Sequence, residues 1–222
     1  MLTAILEQAL NVISTLTVHG LITDSNGTNV PLKLACIAVP LDLDPPWDIY
    51  PRIQHNLVFV PRPPSTCPEP GTVHVHLALG GKRGSGRTSI VHDAEILPTK
   101  PLPEHLPPLV LKVGRFNCRM EIAREAWFYD ELECLQGVVV PRCYGWFEAE
   151  LMEGQTYGSW YTAGHESGEE SEDLENLDPE SWTKDSERLI EMTCSRNFVS
   201  VLLLERLGGN LPLGVPLSDK LM

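Results

Sequence analysis

The sequence lacks the features that mark secreted, membrane-spanning or nucleic-acid-binding proteins. It has 17 Lys and Arg against 30 Asp and Glu, and the net charge of −13 disfavours nonspecific binding to nucleic acid. No Lys or Arg precedes Lys33, so the apolar start has no basic region of the kind found in signal peptides. No hydrophobic run is long enough to span a bilayer. We therefore expect a soluble, cytoplasmic protein that binds neither nucleic acid nor a membrane.

Three kinds of chemical site are also missing from the sequence. The cysteines show neither C-x-x-C spacing nor a cluster with histidine, which predicts reduced thiols rather than a zinc site. His74, His76 and His92 fall on or near one predicted hairpin, but no cysteine lies close to them, so no metal is expected. Gly84-Ser85-Gly86 lacks the G-x-S-x-G spacing of a serine nucleophile.

Residues 1–70 read as an irregular N-terminal extension. Apolar residues at helical spacing predict an amphipathic helix over residues 2–18, and a short apolar run follows at 32–39. The Asn26-Gly27-Thr28 sequon is interpreted as a turn. Nine prolines in residues 40–70 remove backbone donors and predict irregular or polyproline structure there.

From Gly71 the pattern becomes that of a folded α+β domain ending near residue 210. Period-two alternation and short apolar runs predict five strands, at residues 72–79, 88–97, 109–113, 143–151 and 198–207. The connection at 152–196 carries eleven Asp and Glu in residues 165–191, against Lys184 and Arg188, and predicts a disordered, solvated insertion.

One helix is predicted between the third and fourth strands, over residues 118–136. Asn117 is its expected N-cap, and Gly137 followed by Pro141 ends it. Helical spacing predicts a buried stripe formed by Ile122, Ala126, Tyr129, Leu132 and Leu135.

The stretch GGKRGSGRTSIVHDAEI can be aligned with two different phosphate-binding loops. Gly81 to Thr88 has Walker A spacing, but Arg87 replaces the lysine and the residues that follow predict a strand rather than the required helix. The alternative is the glycine loop of a nucleotide-covering hairpin, G-x-G-x-x-G-x-V-x-x-A. It places Gly84 and Gly86 at the first two glycines, Ser89 at the third, and Val91 and Ala94 at the apolar positions.

The lysine in the third predicted strand supports the second alignment. Val110-Leu111-Lys112 matches the V-A-I-K strand of such proteins, in which the lysine holds phosphates and pairs with a helix glutamate. A lysine within an apolar strand is costly to desolvate, so a carboxylate partner is expected. Glu125 is the preferred partner because it lies mid-helix beside the apolar stripe, and Glu121 is the alternative.

Taken in order, these segments resemble the N-terminal lobe of a eukaryotic-type protein kinase over residues 72–210. Residues 124–147 are similar to the corresponding helix and strand of fungal kinase-like proteins, and VLLLERLGG at 201–209 resembles the fifth strand and hinge. The resemblance implies an open antiparallel five-stranded sheet with one packed helix. It also makes Leu204 the gatekeeper, and Glu205 and Leu207 the residues whose backbone faces adenine.

The resemblance implies an ATP half-site rather than a working kinase. Its members phosphorylate protein Ser and Thr, but this sequence contains no H-R-D, no D-F-G and no catalytic-loop asparagine. We therefore expect no catalytic residues, no retained Mg²⁺ and weak ATP binding, with residues 211–222 a stub after the hinge. The alternative is a noncatalytic, kinase-derived module that binds a partner protein through its helix, its exposed interlobe face or its acidic insertion.

Overall fold

The computed structural model describes residues 13–39, 72–98, 106–115, 118–157 and 197–208. The elements, in chain order, are β1 (Ile13–Thr23), β2 (Asn29–Ile37), β3 (Val73–Ser85), β4 (Ser89–Ile96), β5 (Leu109–Gly114), α1 (Arg119–Glu131), a 3₁₀ turn (Glu133–Leu135), β6 (Cys143–Glu150) and β7 (Phe198–Glu205). The predicted Pro-rich stretch at 40–70, the acidic stretch at 165–191 and the stub at 211–222 lie outside the described residues.

The strands form a closed barrel in the order β1-β2-β6-β7-β5-β4-β3. Neighbours run antiparallel, apart from β1 and β3, whose parallel pairing closes the ring. The predicted open five-stranded sheet is therefore wrong. Two strands from the segment expected to be an irregular extension insert between the edges of the other five and leave no open edge.

Residues 13–18, predicted as the end of a helix, begin strand β1. Leu16 and Val18 point into the core while Thr15 and Thr17 do not, which is the two-residue period of a strand. The spacing of Ile13 and Leu16 suits a helix as well, so the apolar pattern alone could not separate the two. Pairing of β1 with both β2 and β3 decides the conformation. Residues 2–12 of the predicted helix lie outside the described part.

The turn predicted at Asn26-Gly27-Thr28 is confirmed and joins β1 to β2. Asp24 closes it, because its Oδ1 accepts hydrogen bonds at 2.9 Å from the backbone N–H groups of both Asn26 and Thr28. Gly27 has φ +76°, a conformation that a side chain would disfavour.

The barrel interior is filled by alternate side chains of its strands. On β5, Leu109, Leu111 and Val113 face inward and are almost fully buried, which leaves Val110 and Lys112 on the outer face. Tyr144 and Phe147 of β6 are among the largest side chains buried inside. The lysine predicted in an apolar strand therefore lies on the outside of a packed core.

Helix α1 packs on the outer face of the barrel across β5, β6 and β7. Its buried residues are Met120, Ile122, Ala123 and Ala126, and they contact Val110, Trp146, Leu202 and Leu204 in a second apolar cluster. The approach is close at Gly114, where an added Cβ would lie 2.8 Å from Ile122 Cγ1.

The helix ends at Glu131, earlier than predicted, and its buried stripe is shorter. Leu132 and Leu135, expected in the core, are 37% and 39% exposed. The expected N-cap, Asn117, lies outside the described residues, and the structure has Cys118 at the cap position. No helix within the described ranges is long and apolar enough to cross a membrane.

Candidate functional site

The centre of the candidate site is an ion pair between β5 and α1. Lys112 Nζ donates to Glu125 Oε2 at 2.5 Å, with side-chain exposures of 21% and 28%. Of the two predicted partners, the structure therefore selects Glu125. Glu121 lies one turn earlier, and its buried Oε2 makes no hydrogen bond. Strand β5 directs the lysine outward, and docking of α1 brings the carboxylate to it.

Apolar residues predicted to contact a base lie on the same outer face. Lys112 is opposite Val91 on β4 and Leu202 on β7, while Val110 is opposite Leu204. All three contact the second apolar cluster, and Val91 is half-buried while Val110 and Leu204 are 9% and 6% exposed. These side chains form a floor beside the ion pair.

The glycine-rich stretch forms the end of the β3–β4 hairpin. Strand β3 runs through the glycines to Ser85, so Gly84 is paired with Val91 instead of lying in a loop. The loop consists of Arg87 and Thr88, and the N–H of Gly86 donates to the Ser89 carbonyl at 2.8 Å to close it. Ser89 is buried and lies opposite Gly114. Gly114 is two residues along β5 from Lys112, which separates the Cα atoms of Gly114 and Lys112 by about 7 Å.

Arg115, a residue that the sequence did not single out, fixes the hairpin end. Its Nε donates to the Gly86 carbonyl at 2.9 Å, and its Nη2 donates to Ser85 Oγ at 2.7 Å. Its backbone N–H also donates to the Thr88 carbonyl at 2.8 Å. The residue that follows β5 therefore ties the end of the glycine hairpin to that strand. An arginine directly after a strand that pairs with the hairpin was the only available signal.

A second group of charges lies beside the apolar floor. Asp93, opposite Val110, accepts two hydrogen bonds from Arg83 Nε, at 2.7 and 2.8 Å, and one from Arg206 at 3.4 Å. The hydrogen bond from Arg83 lowers the pKa of Asp93, and Asp93 raises the pKa of Arg83. Arg83, directly before Gly84, is therefore held by a carboxylate of β4.

The two predicted hinge residues differ in their surroundings. The backbone N–H of Glu205 donates to the Arg142 carbonyl, and its carboxylate accepts from Arg142 Nη1 at 3.0 Å. That N–H is therefore already hydrogen-bonded to the residue before β6. Leu207 follows the end of β7 and is 56% exposed.

Histidines of β1 and β3 contact one another or their neighbours where these two strands pair and close the barrel. Thr15 Oγ1 is hydrogen-bonded to His74 Nδ1, and the rings of His19 and His76 are stacked with centroids 5.9 Å apart. Within the described ranges, no group of three His, Cys, Asp or Glu residues could hold a metal ion.

The face at Lys112 thus combines an oriented ammonium group, a fixed glycine hairpin and an apolar floor. Arg87 and Arg115 add positive charge to the hairpin of a chain that is acidic overall, while the charge of Arg83 is paired with Asp93. Such a face can bind an anionic group attached to a flat apolar one. No family model, no curated protein and no solved structure matches this chain significantly.

Proposed function

We propose that the outer face at Lys112 binds ATP weakly and does not catalyse phosphate transfer. The Lys112–Glu125 pair carries the proposal, because it joins the one lysine of an apolar strand to the helix glutamate that the nucleotide-site pattern requires. Glu125 takes one of the three ammonium donors and orients the group, which leaves donors for phosphate oxygens.

The rest of the face carries groups of the kind that a nucleotide contacts. We expect the phosphate chain between Lys112 and the hairpin end that Arg115 holds, and the base over Val91 beside the floor of Val110 and Leu204. The proposal is confined to binding because the sequence supplies neither the aspartate base nor the metal ligands of a kinase.

Thermal unfolding with and without Mg-ATP tests the proposal. Ligand at ten times its Kd stabilises a protein by about 1.4 kcal/mol, which is a shift of a few degrees for a domain of this size. We expect this shift in the wild type and in Lys33→Met, whose lysine is exposed on β2 away from the site, and its loss in Lys112→Met. The absence of any shift at millimolar ATP, or an equal shift in Lys112→Met, would contradict it.

The second candidate is a noncatalytic module that binds a partner protein. It is favoured by the apolar side chains that α1 and the turn after it present to solvent, including Val138 and Val139 at 79% and 67% exposure. The two functions use different surfaces, so each can be tested without the other.

A further inference from the structure

Ser85, the last residue of β3, is an exposed serine at the end of the β3–β4 hairpin. The space around this part of β3 is open, because a Cβ added at Gly81 or Gly84 would contact nothing within 4 Å. The second serine of the hairpin end, Ser89, is only 5% exposed and lies opposite Gly114. Another protein can therefore reach Ser85 but not Ser89.

Basic residues lie on both sides of Ser85 in the sequence. Lys82 and Arg83 are exposed shortly before it, and Arg87 is exposed shortly after it. Arg83 is paired with Asp93 at 2.7 Å, but its side chain is 55% exposed, and a pair this exposed holds the guanidinium group only weakly. The pattern suits a protein kinase whose acidic substrate groove selects serines that follow basic residues.

A guanidinium group already lies at the Ser85 hydroxyl. Arg115 Nη2 donates to Ser85 Oγ at 2.7 Å, and Arg115 Nε donates to the Gly86 carbonyl at 2.9 Å. A phosphate group on Ser85 Oγ would add two negative charges and three acceptor oxygens next to Arg115. Hydrogen bonds between arginine and phosphate are charge-assisted, so they are stronger than the bond that the neutral hydroxyl accepts.

Arg87 adds a second guanidinium group to the same region. Burial raises the pKa of the Cys118 thiol at the start of α1 to about 11, and the Glu121 carboxylate adds to this increase. The positive charges of Arg115 and Arg87 oppose the increase, so both groups lie near this thiol. A phosphate at the hairpin end therefore meets two guanidinium groups and one nearby carboxylate.

The hairpin end is paired with β4 less regularly than the rest of β3. The register shifts between Leu79 and Lys82 and again between Lys82 and Gly84, and the Ser85–Ile90 pair lies beyond both shifts. Such irregularities interrupt the hydrogen-bonded ladder. A kinase can therefore draw the hairpin end into its groove without separating the regular part of the two strands.

We propose that Ser85 is a phosphorylation site for a protein kinase that selects basic residues before its target, and that Arg115 holds the phosphate. Ser85 Oγ attacks the γ-phosphorus of ATP on that kinase, and an Oγ–P bond forms. The bond from this phosphorus to the β,γ-bridging oxygen breaks, ADP leaves, and the hydroxyl proton passes to the aspartate base of the kinase. The product ties the hairpin end to β5 more firmly.

Phosphorylation of the full chain by the catalytic subunit of cAMP-dependent protein kinase with Mg-ATP, followed by peptide mass mapping, tests the proposal. We expect one phosphate on Ser85, its loss in Ser85→Ala, and wild-type incorporation in Ser25→Ala, because Ser25 is exposed but follows Asp24 instead of basic residues. Lys82→Gln/Arg83→Gln should lower kcat/KM for the chain about tenfold, since two ion pairs with the kinase are lost.

A ³¹P NMR titration of the phosphorylated chain tests the role of Arg115. The midpoint for the second ionisation of phosphoserine should lie about one pH unit lower in the wild type than in Arg115→Met, because a nearby positive charge favours the dianion. Circular dichroism of both proteins checks that Arg115→Met is folded.

Three results would overturn the proposal. The first is an absence of phosphate on Ser85 in the folded chain, and phosphorylation of a peptide of residues 79–91 alone would then show that the fold conceals the serine. The second is equal incorporation in Ser85→Ala, and the third, equal midpoints in the titration, would overturn the role of Arg115. Lys112→Met should be phosphorylated as the wild type is, so failure of the nucleotide proposal leaves this one standing.

Discussion

Lys112 and Glu125 join strand to helix through a single ion pair, with Nζ and Oε2 2.5 Å apart on the outer face of the barrel. The two groups are brought together by two separate features of the fold. The pleat of β5 turns Lys112 away from Leu111 and Val113, and packing of Ile122 and Ala126 sets the rotation of α1. The pair can therefore form only when α1 is packed on the barrel in this orientation.

A double-mutant cycle of Lys112→Met and Glu125→Gln should give a coupling energy of about 1 kcal/mol, the magnitude of a partly exposed ion pair. Urea unfolding of the four proteins measures it. The cycle of Lys112→Met with Glu121→Gln is the control and should show no coupling. If the coupling follows Glu121 instead, the assignment of the pair is wrong.

The ion pair between Arg119 and Glu148 should contribute more to the free energy of unfolding than the Lys112–Glu125 pair does, because the Glu148 side chain is only 3% exposed. Arg119 donates to both carboxylate oxygens, at 2.6 and 2.8 Å, and lies 4.0 Å from the centre of the Phe198 ring. Arg119→Met should cost about 3–5 kcal/mol in the free energy of unfolding by leaving a buried charge unpaired. Arg119→Met/Glu148→Met should recover much of that loss, and a loss below 1 kcal/mol in the single variant would count against the pair's structural role.

Gly114→Ala should loosen the contact between the helix and the barrel. The new methyl group would lie 2.8 Å from Ile122 Cγ1 and 3.2 Å from the Ser200 carbonyl oxygen, so α1 must move. We expect a loss of about 1–3 kcal/mol. Gly81→Ala is the control, because nothing lies within 4 Å of its Cβ position, and it should change stability by less than about 0.5 kcal/mol. Similar effects from both substitutions would show that the close approach is absent.

Stability should fall below neutral pH through His92, which is buried and whose Nε2 has no hydrogen-bond partner. Burial lowers the pKa of His92 below its usual 6.5; a hydrogen bond with the Gly80 backbone opposes this effect in part, and the nearby charge of Lys82 adds to the lowering. The unfolded chain therefore binds more protons, so stability is full above pH 6.5 and declines as the pH falls through 6.5 towards the folded-state pKa. His92→Leu should flatten this part of the curve in urea unfolding between pH 7 and 5, and an unchanged slope would exclude His92 as the cause.

The sequence predicted five of the strands, the helix and the Lys112–Glu125 pair, because each depends on local pattern or on one strong physical demand. A lysine in an apolar strand needs a carboxylate, and the next helix offered two. The closed barrel was not predicted. Residues 13–18 carry apolar spacing that fits either a helix or a strand, and only their pairing with β2 and with distant β3 settles the matter.

The same limit applies to Leu132, Leu135 and Arg115. Helical spacing placed both leucines in the core, but α1 ends at Glu131, so the helical period no longer applies to them and they are partly exposed. Arg115 contacts the end of the β3–β4 hairpin, which lies far from it in the sequence, and no rule of residue spacing predicts such a contact. Long-range packing, rather than periodicity, decided each of these positions.

The most direct test of nucleotide binding is an amide NMR titration of the full chain with Mg-ATP, repeated with Lys112→Met and Lys33→Met. We predict shifts confined to the Ser85–Ser89 hairpin end, Val91, Val110 and Lys112, saturating at millimolar ATP and lost in Lys112→Met alone. No shifts at millimolar ATP, or shifts elsewhere that persist in Lys112→Met, would contradict the account.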